Sequence, residues 1–245
     1  QSQQKKMATS INAPSHLTQR QEKIIRNFSE HDIDTIHTDV HGPYIPSFSG
    51  VRYFCSFQAD SRLTYVTFLT NTESPTLINS LKEAIIALGK PREIRMDRNP
   101  SLIKNSPAQL TDFQIFCVDN GIGLKISAPS HQEEDGVSEK SGGRDIYEHA
   151  TALLHHANIS LRFWPYAIRH FVNTFNCVPR PTTNDVSPYF KHFGIKPYIG
   201  HFRTFGCPAF IHLTKRSRPA PKAFTSRAER GIHLGTDHQS TPGTY

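Results

Sequence analysis

Apolar and polar positions alternate from residue 35 to 40 and then stop at Gly42-Pro43, which predicts a strand running into a turn. Residues 51–59 and 63–69 are rich in aromatic and β-branched side chains. Asp60-Ser61-Arg62 parts them, so two further strands joined by a turn are expected. The period then changes. Leu77, Leu81, Ile85 and Leu88 recur at helical spacing, with Ser74 as the expected N-cap, Pro75 at the first helical position and Gly89 as the stop. Residues 93–96 read as a short fourth strand that carries Asp97 at its end. After a loop over 99–107 rich in Asn, Pro and Ser, a helix is expected through Leu110, Phe113, Phe116 and Cys117, then a fifth strand over 122–126. Two longer helical stretches, 139–157 and 162–177, complete the patterned region.

Three consecutive strands followed by alternating helices and strands predict an α/β domain, a mixed five-stranded sheet flanked by helices. Beyond Pro179 the pattern changes. Prolines recur at 179, 181, 188, 197 and 208, short β-like pieces stand at 204–213 and 231–234, and the stretch 215–230 is basic and poor in apolar residues. The chain therefore divides into a polar lead-in (1–30), a core (31–178) and an irregular, Pro-rich basic C-terminal extension with short strands (179–245), which wraps the core or reaches outwards.

Composition adds limits. At 245 residues the chain can bury one substantial core, and its 36% hydrophobic content suits a globular protein. The longest apolar runs, such as 84–88, fall far short of a membrane span, and residues 1–10 lack the apolar centre of a signal peptide. The sequence starts without Met, as expected of a piece of a longer polypeptide. A net charge of +7 favours polyanionic partners, nucleic acid first. Cys55, Cys117, Cys177 and Cys207 form no CxxC pair and read as reduced, mostly buried thiols of an intracellular protein.

The candidate chemistry lies in the acids. Phosphodiester transfer without a covalent enzyme intermediate can be driven by two divalent cations, one activating the attacking oxygen and one stabilising the departing oxygen. Hard cations need carboxylates that converge from separate elements. Asp39 stands near the end of the first strand and Asp97 at the end of the fourth, while Glu133, Glu134, Asp135 and Glu139 cluster where a later helix begins. Any one of these acids, taken alone, reads equally as a solvated or capping residue.

Their surroundings are more specific. The segment His37-Thr38-Asp39-Val40-His41-Gly42-Pro43 resembles the first-aspartate motif of copia-type retrotransposon integrases, and Met96-Asp97-Arg98 resembles their second-aspartate site. Cys117-Val118-Asp119-Asn120-Gly121-Ile122, Ser127-Ala128-Pro129 and Asp135-Gly136-Val137-Ser138-Glu139 follow at that family's intervals. Phe163-Trp164, Asn176, Ser187-Pro188-Tyr189, Phe205-Gly206-Cys207 and Gly231-Ile232-His233-Leu234-Gly235 extend the likeness, which spans residues 31–237.

The resemblance implies a ribonuclease-H-like catalytic core cut from a Gag-Pol polyprotein, in agreement with the element order. It also implies two magnesium or manganese ions on Asp39, Asp97 and Glu139, and DNA strand transfer as the activity. Element ends and target DNA would be the substrates, a homo-oligomer the working form, and nucleus and cytoplasm the location. The third carboxylate has two candidates. Thirty-five residues lie between Asp97 and Glu133, the family's usual interval, and forty-one between Asp97 and Glu139. The local wording favours Glu139, because 117–139 fits without a gap and the excess then falls in the loop over 99–107, where insertions cost little.

Lys125, His131, Lys140 and Arg144 flank this site and could neutralise phosphates, or simply form a solvated face. In the extension, Lys215, Arg216, Arg218 and Lys222, followed by Arg227 and Arg230, face only Glu229 and suit sequence-independent backbone binding. Phe163 and Trp164 belong to an amphipathic helix with Ala167, Ile168, Phe171 and Phe175 and are expected in the core.

Some positions depart from the family pattern. Arg98-Asn99-Pro100 replaces a small, glycine-containing turn, and Lys140-Ser141-Gly142-Gly143-Arg144 puts two glycines, at about 1 kcal/mol each, where a polar and basic helix is usual. His16 and His31 lack the cysteine partners of the family's N-terminal zinc module. Two alternatives to strand transfer follow: a catalytically silent DNA-binding module that keeps the fold, and a nuclease of the same fold.

Overall fold

The computed structural model describes residues 33–97, 110–127, 143–214 and 227–236. Five strands form one mixed sheet: β1 (Ile33–His41), β2 (Tyr53–Ala59), β3 (Thr64–Leu69), β4 (Pro91–Asp97) and β5 (Gly123–Ser127). Their spatial order is β3-β2-β1-β4-β5. The first three strands form an antiparallel meander, and β4 and β5 join parallel to β1 through helical crossovers, as the predicted mixed sheet requires.

The helices between them differ in detail from the expectation. Helix α1 (Ser74–Leu88) buries Leu77, Leu81, Ala84 and Leu88 and ends on Gly89, but its N-cap is Glu73, not Ser74. Asn71 explains the shift. Its side-chain oxygen accepts the Glu73 N–H at 3.1 Å and the Thr76 hydroxyl at 2.7 Å, so the serine has no capping role to fill. Helix α2 (Asp112–Asp119) starts later than Leu110. Thr111 and Gln114 form a reciprocal capping box that fixes the first turn, and Leu110 is left 47% exposed.

Helix α3 (Gly143–Ala157) is followed by a 3-10 turn (Leu161–Phe163), capped by the Ser160 hydroxyl, and by helix α4 (Trp164–Cys177). A last short helix α5 (Pro188–Phe193) is capped by Ser187. Strands β6 (Pro208–His212) and β7 (Ala228–Ile232) pair as a separate antiparallel ribbon; the second stands earlier than the expected 231–234. There the chain leaves the ribbon to dock on α4, where the Asn173 side chain donates to the Thr236 carbonyl at 3.3 Å.

Strand alternation separates two apolar layers. One face of the sheet gives Ile36, Cys55, Phe57, Ile94 and Met96 to a core shared with α1 and α2. The other face gives Phe54 and Val66 to a core with Ile146, Ala150 and Leu154 of α3 and Trp164, Ala167, Ile168 and Val172 of α4. Trp164 is buried, as its amphipathic helix predicts. The chain beyond Pro179 contributes to both layers: Tyr189 and Phe193 pack on the first, and Phe205 is fully buried in the second. Gly206 (φ +77°) lets that segment lie directly on Ala157, where any side chain would collide with the helix. The four cysteines are free of disulfides, and burial pushes the Cys55 and Cys117 thiols each up to about 12.

Asn176 ties the helical layer to the meander. Its side chain accepts the buried Thr64 N–H at 3.0 Å and donates to the Thr64 carbonyl at 2.7 Å. Ala at 176 would orphan both backbone groups, each worth about 1–3 kcal/mol when buried and unpaired. Asn176→Ala is expected to lower stability by about 2–4 kcal/mol in urea unfolding; a cost under about 0.5 kcal/mol would contradict this role.

Candidate active site

The sheet builds the site from its register. β1 and β4 run parallel with Thr38 opposite Met96, the last printed pair of their register, and Asp39 and Asp97 are the next residue of each strand. Adjacent strands lie about 4.8 Å apart, and residues paired in register occupy the same face. Asp97 is the last residue of β4 and is itself paired with Ser127, the last of β5. Asp39 and the backbone position of Asp97 thus lie towards the C-terminal edge of the parallel strands, where chain ends and loops converge.

Asp39 stays accessible, with 52% of its side-chain surface exposed. Its partner is His41, two residues on and on the same face, with Nε2 3.4 Å from Asp39 Oδ2. The imidazole is only 15% exposed; it lies on the Phe54 ring at 4.5 Å, and Nε2 is 3.3 Å from the Ser56 hydroxyl. Burial lowers the pKa of His41 and outweighs the opposing pull of the Asp39 charge. The ring is thus held mainly neutral at pH 7.

The chain after β1 folds back over the second apolar layer. Gly42 (φ +127°) passes so close to the Arg52 carbonyl and Tyr53 that a Cβ could not fit. Tyr44 stacks on Phe54 at 5.9 Å and on Tyr147 of α3 at 5.2 Å. Its phenol is raised, first by burial and then by Tyr147 and Asp39. Trp164 Nε1 donates to the Ile45 carbonyl at 2.9 Å, and Arg162 donates to the carbonyls of Pro46 and Ser47 at 3.3 Å each while covering the Phe48 ring at 4.5 Å. These contacts hold the first turns of α3 beside the end of β1.

Glu139 precedes α3 by four positions and, with Glu133, His131 and Lys140, lies outside the described residues. So do Lys215, Arg216, Arg218 and Lys222. Lys125 is exposed on β5, opposite Arg95 and two positions before the edge. Arg144 is exposed on α3 and donates to Glu148 at 2.8 Å, an i,i+4 pair that a phosphate would have to displace. Arg227 and Arg230 are exposed at and on β7. Among the described residues no group of three His, Cys, Asp or Glu side chains is arranged to hold a metal. The one described acidic side chain at this edge is the half-exposed carboxylate of Asp39, a hard oxygen donor of the kind a divalent cation takes.

His41, Tyr44, Ser56 and Tyr147 have no assigned role in the sequence reading. Only His41 left a usable signal, since a residue two positions along a strand shares the face of Asp39.

No protein-family model matches the chain. It is 28% identical over 186 residues to the "Retrovirus-related Pol polyprotein from transposon RE1" of Arabidopsis thaliana. Over 198 residues it is 26% identical to that from transposon TNT 1-94 of Nicotiana tabacum. These matches cover 76% of this chain but only 12% and 14% of the relatives, so the chain spans about an eighth of their length. Among solved structures, the HTLV-2 integrase catalytic core domain in complex with magnesium superposes with a TM-score of 0.50 at 20% identity, over 67% of this chain and 99% of that one. A chain of the simian T-cell lymphotropic virus intasome in complex with the PP2A regulatory subunit B56 gamma gives 0.52 at 17% identity, over 82% and 68%.

Proposed function

We propose that this chain, a homologue of the copia-type transposon Pol polyproteins with the fold of a retroviral integrase catalytic core, is an integrase-type polynucleotidyl transferase. It joins element DNA to target DNA after processing the element's 3′ ends. The observation that supports this reading is the parallel register of β1 and β4, in which Thr38 pairs with Met96 and Asp39 and Asp97 are the next residue of each strand. Asp39, Asp97 and Glu139 are the residues that would hold two magnesium or manganese ions. Such ions lower the pKa of an attacking hydroxyl and stabilise the charge that develops on the leaving oxygen. The magnesium in the HTLV-2 core domain supports this choice of metal.

The chain's own residues supply position. Burial of Phe54 and the His41 ring fixes the strand end that carries Asp39, and Tyr44 and Trp164 fix α3 against it. Lys125, His131, Lys140 and Arg144 hold DNA phosphates near the edge, and Lys215, Arg216, Arg218 and Lys222 hold DNA through the extension over 179–245. In this reading residues 31–178 are the core, onto which Tyr189, Phe193 and Phe205 of the extension pack. The trimeric form of the HTLV-2 core and the viral intasome support work as a homo-oligomer on DNA. The location that goes with this reading is nucleus and cytoplasm.

A strand-transfer assay tests the reading. With magnesium and labelled DNA carrying the element's ends, joined products are expected to exceed end-cleaved ones that never join. Cleavage alone would make the protein a nuclease; DNA binding without either product would sink the enzyme and leave the silent module.

A further inference from the structure

Near the strand end that carries Asp39 stands an aromatic ring with one face packed and the other bare. We infer that Tyr147 is a stacking platform for an unpaired base of the DNA strand worked on at that edge. The inference rests on the proposed integrase reading and names the part of the substrate that α3 holds.

Three observations carry it. The inner face of the ring is already taken, since Tyr147 lies on Tyr44 at 5.2 Å and only 13° from parallel. Tyr147 is still 45% exposed, so its open surface is the outer face and the rim of the ring. The second observation is place. Rings lead there from the strand end in three steps, His41 to Phe54 at 4.5 Å, Phe54 to Tyr44 at 5.9 Å and Tyr44 to Tyr147 at 5.2 Å. Even along that path Tyr147 is no further from His41 than about five nucleotide rises of about 3.4 Å each. His41 Nε2 is itself 3.4 Å from Asp39 Oδ2. The Tyr44 phenol, raised first by burial, feels both Tyr147 and Asp39.

The third observation is charge. Arg144 is three positions earlier on α3, hence on the same side of the helix, and is exposed. Its partner Glu148 holds it only by a surface pair, which a DNA phosphate can exchange at little cost. A cation one turn from a bare aromatic face suits a nucleotide, phosphate on one and base on the other.

Inside a duplex both faces of a base are covered by its neighbours, so only an unpaired or terminal base offers a free face to Tyr147. Stacking is indifferent to base identity and strengthens binding about tenfold to a hundredfold per base. A ring already fixed on Tyr44 loses little freedom on meeting one. Holding the terminal base there would keep the phosphodiester beside it close to Asp39.

The test uses the full chain without divalent ions, so that binding is read apart from any reaction. Two DNAs share one duplex and end in a short fork of unpaired thymidines, intact in one and abasic in the other; both carry the same phosphates. By fluorescence anisotropy the unaltered chain is expected to bind the intact fork about tenfold to a hundredfold more tightly than the abasic one. Tyr147→Ala should bring that ratio close to one, and Tyr147→Phe should keep it, because the ring remains. A tyrosine that only props α3 on Tyr44 would, when changed to Ala, weaken both forks alike and leave the ratio unchanged, which overturns the inference. Equal binding of the two forks by the unaltered chain also overturns it and leaves the integrase reading standing. Loss of the ratio in Tyr147→Phe would assign the contact to the hydroxyl and overturn stacking. No binding of either fork would remove the inference together with the DNA-binding reading beneath it. If thermal unfolding shows Tyr147→Ala to be misfolded, Tyr147→Leu decides in its place, since it keeps apolar bulk against Tyr44 and has no flat face.

Discussion

Asp39→Asn is expected to lower magnesium-dependent DNA joining about 10³-fold while leaving the fold intact. Losing one carboxylate ligand removes several kcal/mol of cation binding and transition-state stabilisation, and about 4 kcal/mol corresponds to three decades in rate. The substitution is nearly isosteric. Asp39 is half exposed, and its side-chain contact is the mainly neutral His41 ring at 3.4 Å, so little native packing is at stake. The unfolding midpoint should stay within the range of an ordinary surface change, about 0.5 kcal/mol. Calorimetric magnesium titration should lose its heat in the same variant, whereas DNA binding, carried by Lys and Arg on phosphates, should persist. Asp97→Asn should behave alike. The double variant should be little worse than either single one, because groups that act as a unit fail together. Joining within tenfold of the unaltered protein by Asp39→Asn would exclude the carboxylate site.

Most of the sheet was legible because its signals are local. The β-branched and aromatic runs, the Asp60-Ser61-Arg62 break and the helical recurrence of Leu77, Leu81 and Leu88 each report on a few neighbouring positions, and β2, β3 and α1 follow them closely. The element ends were harder, since they depend on which side chain wins a competition for backbone groups. Asn71 took the capping role expected of Ser74, and the Thr111–Gln114 box began α2 after Leu110. Both outcomes turn on side-chain geometry that spacing alone does not encode.

The sequence placed Asp39 and Asp97 at the ends of the first and fourth strands; that these strands are neighbours is set by the order of the sheet, which strand periodicity does not encode. The contacts that brace the site are of another kind. Tyr44 with Tyr147, Trp164 with Ile45 and Asn176 with Thr64 join residues over a hundred positions apart. Nothing in the period of either segment announces the other. Such motif residues stand out in the family likeness, yet only coordinates reveal that Asn176, Ser187, Phe205 and Gly206 serve anchoring, capping and close packing rather than chemistry.

Trp164→Ala should produce the largest loss of stability among single changes to the second layer, about 3–5 kcal/mol. The indole is buried against the rings of Tyr44, Phe54 and Phe68 at 5.4, 6.5 and 5.8 Å, so truncation empties a cavity that four elements share. Trp164→Phe separates the two roles of the side chain. It keeps most of the apolar volume and removes only the Nε1 hydrogen bond to the Ile45 carbonyl. Because Ile45 is half exposed, water can take the freed carbonyl, and a cost near 1 kcal/mol is expected. Trp164 is the single tryptophan of the chain, so urea unfolding of both variants should be followed by circular dichroism. The loop after β1 hangs on this residue, and loosening it frees Tyr44 and with it the approach of α3 to Asp39. Trp164→Phe should therefore lose joining activity by more than its small stability cost predicts, whereas a residue that only fills space would lose the two in proportion. Equal stability in Trp164→Ala and Trp164→Phe would mean that the layer closes over the cavity, and that the loop is held by Arg162 instead.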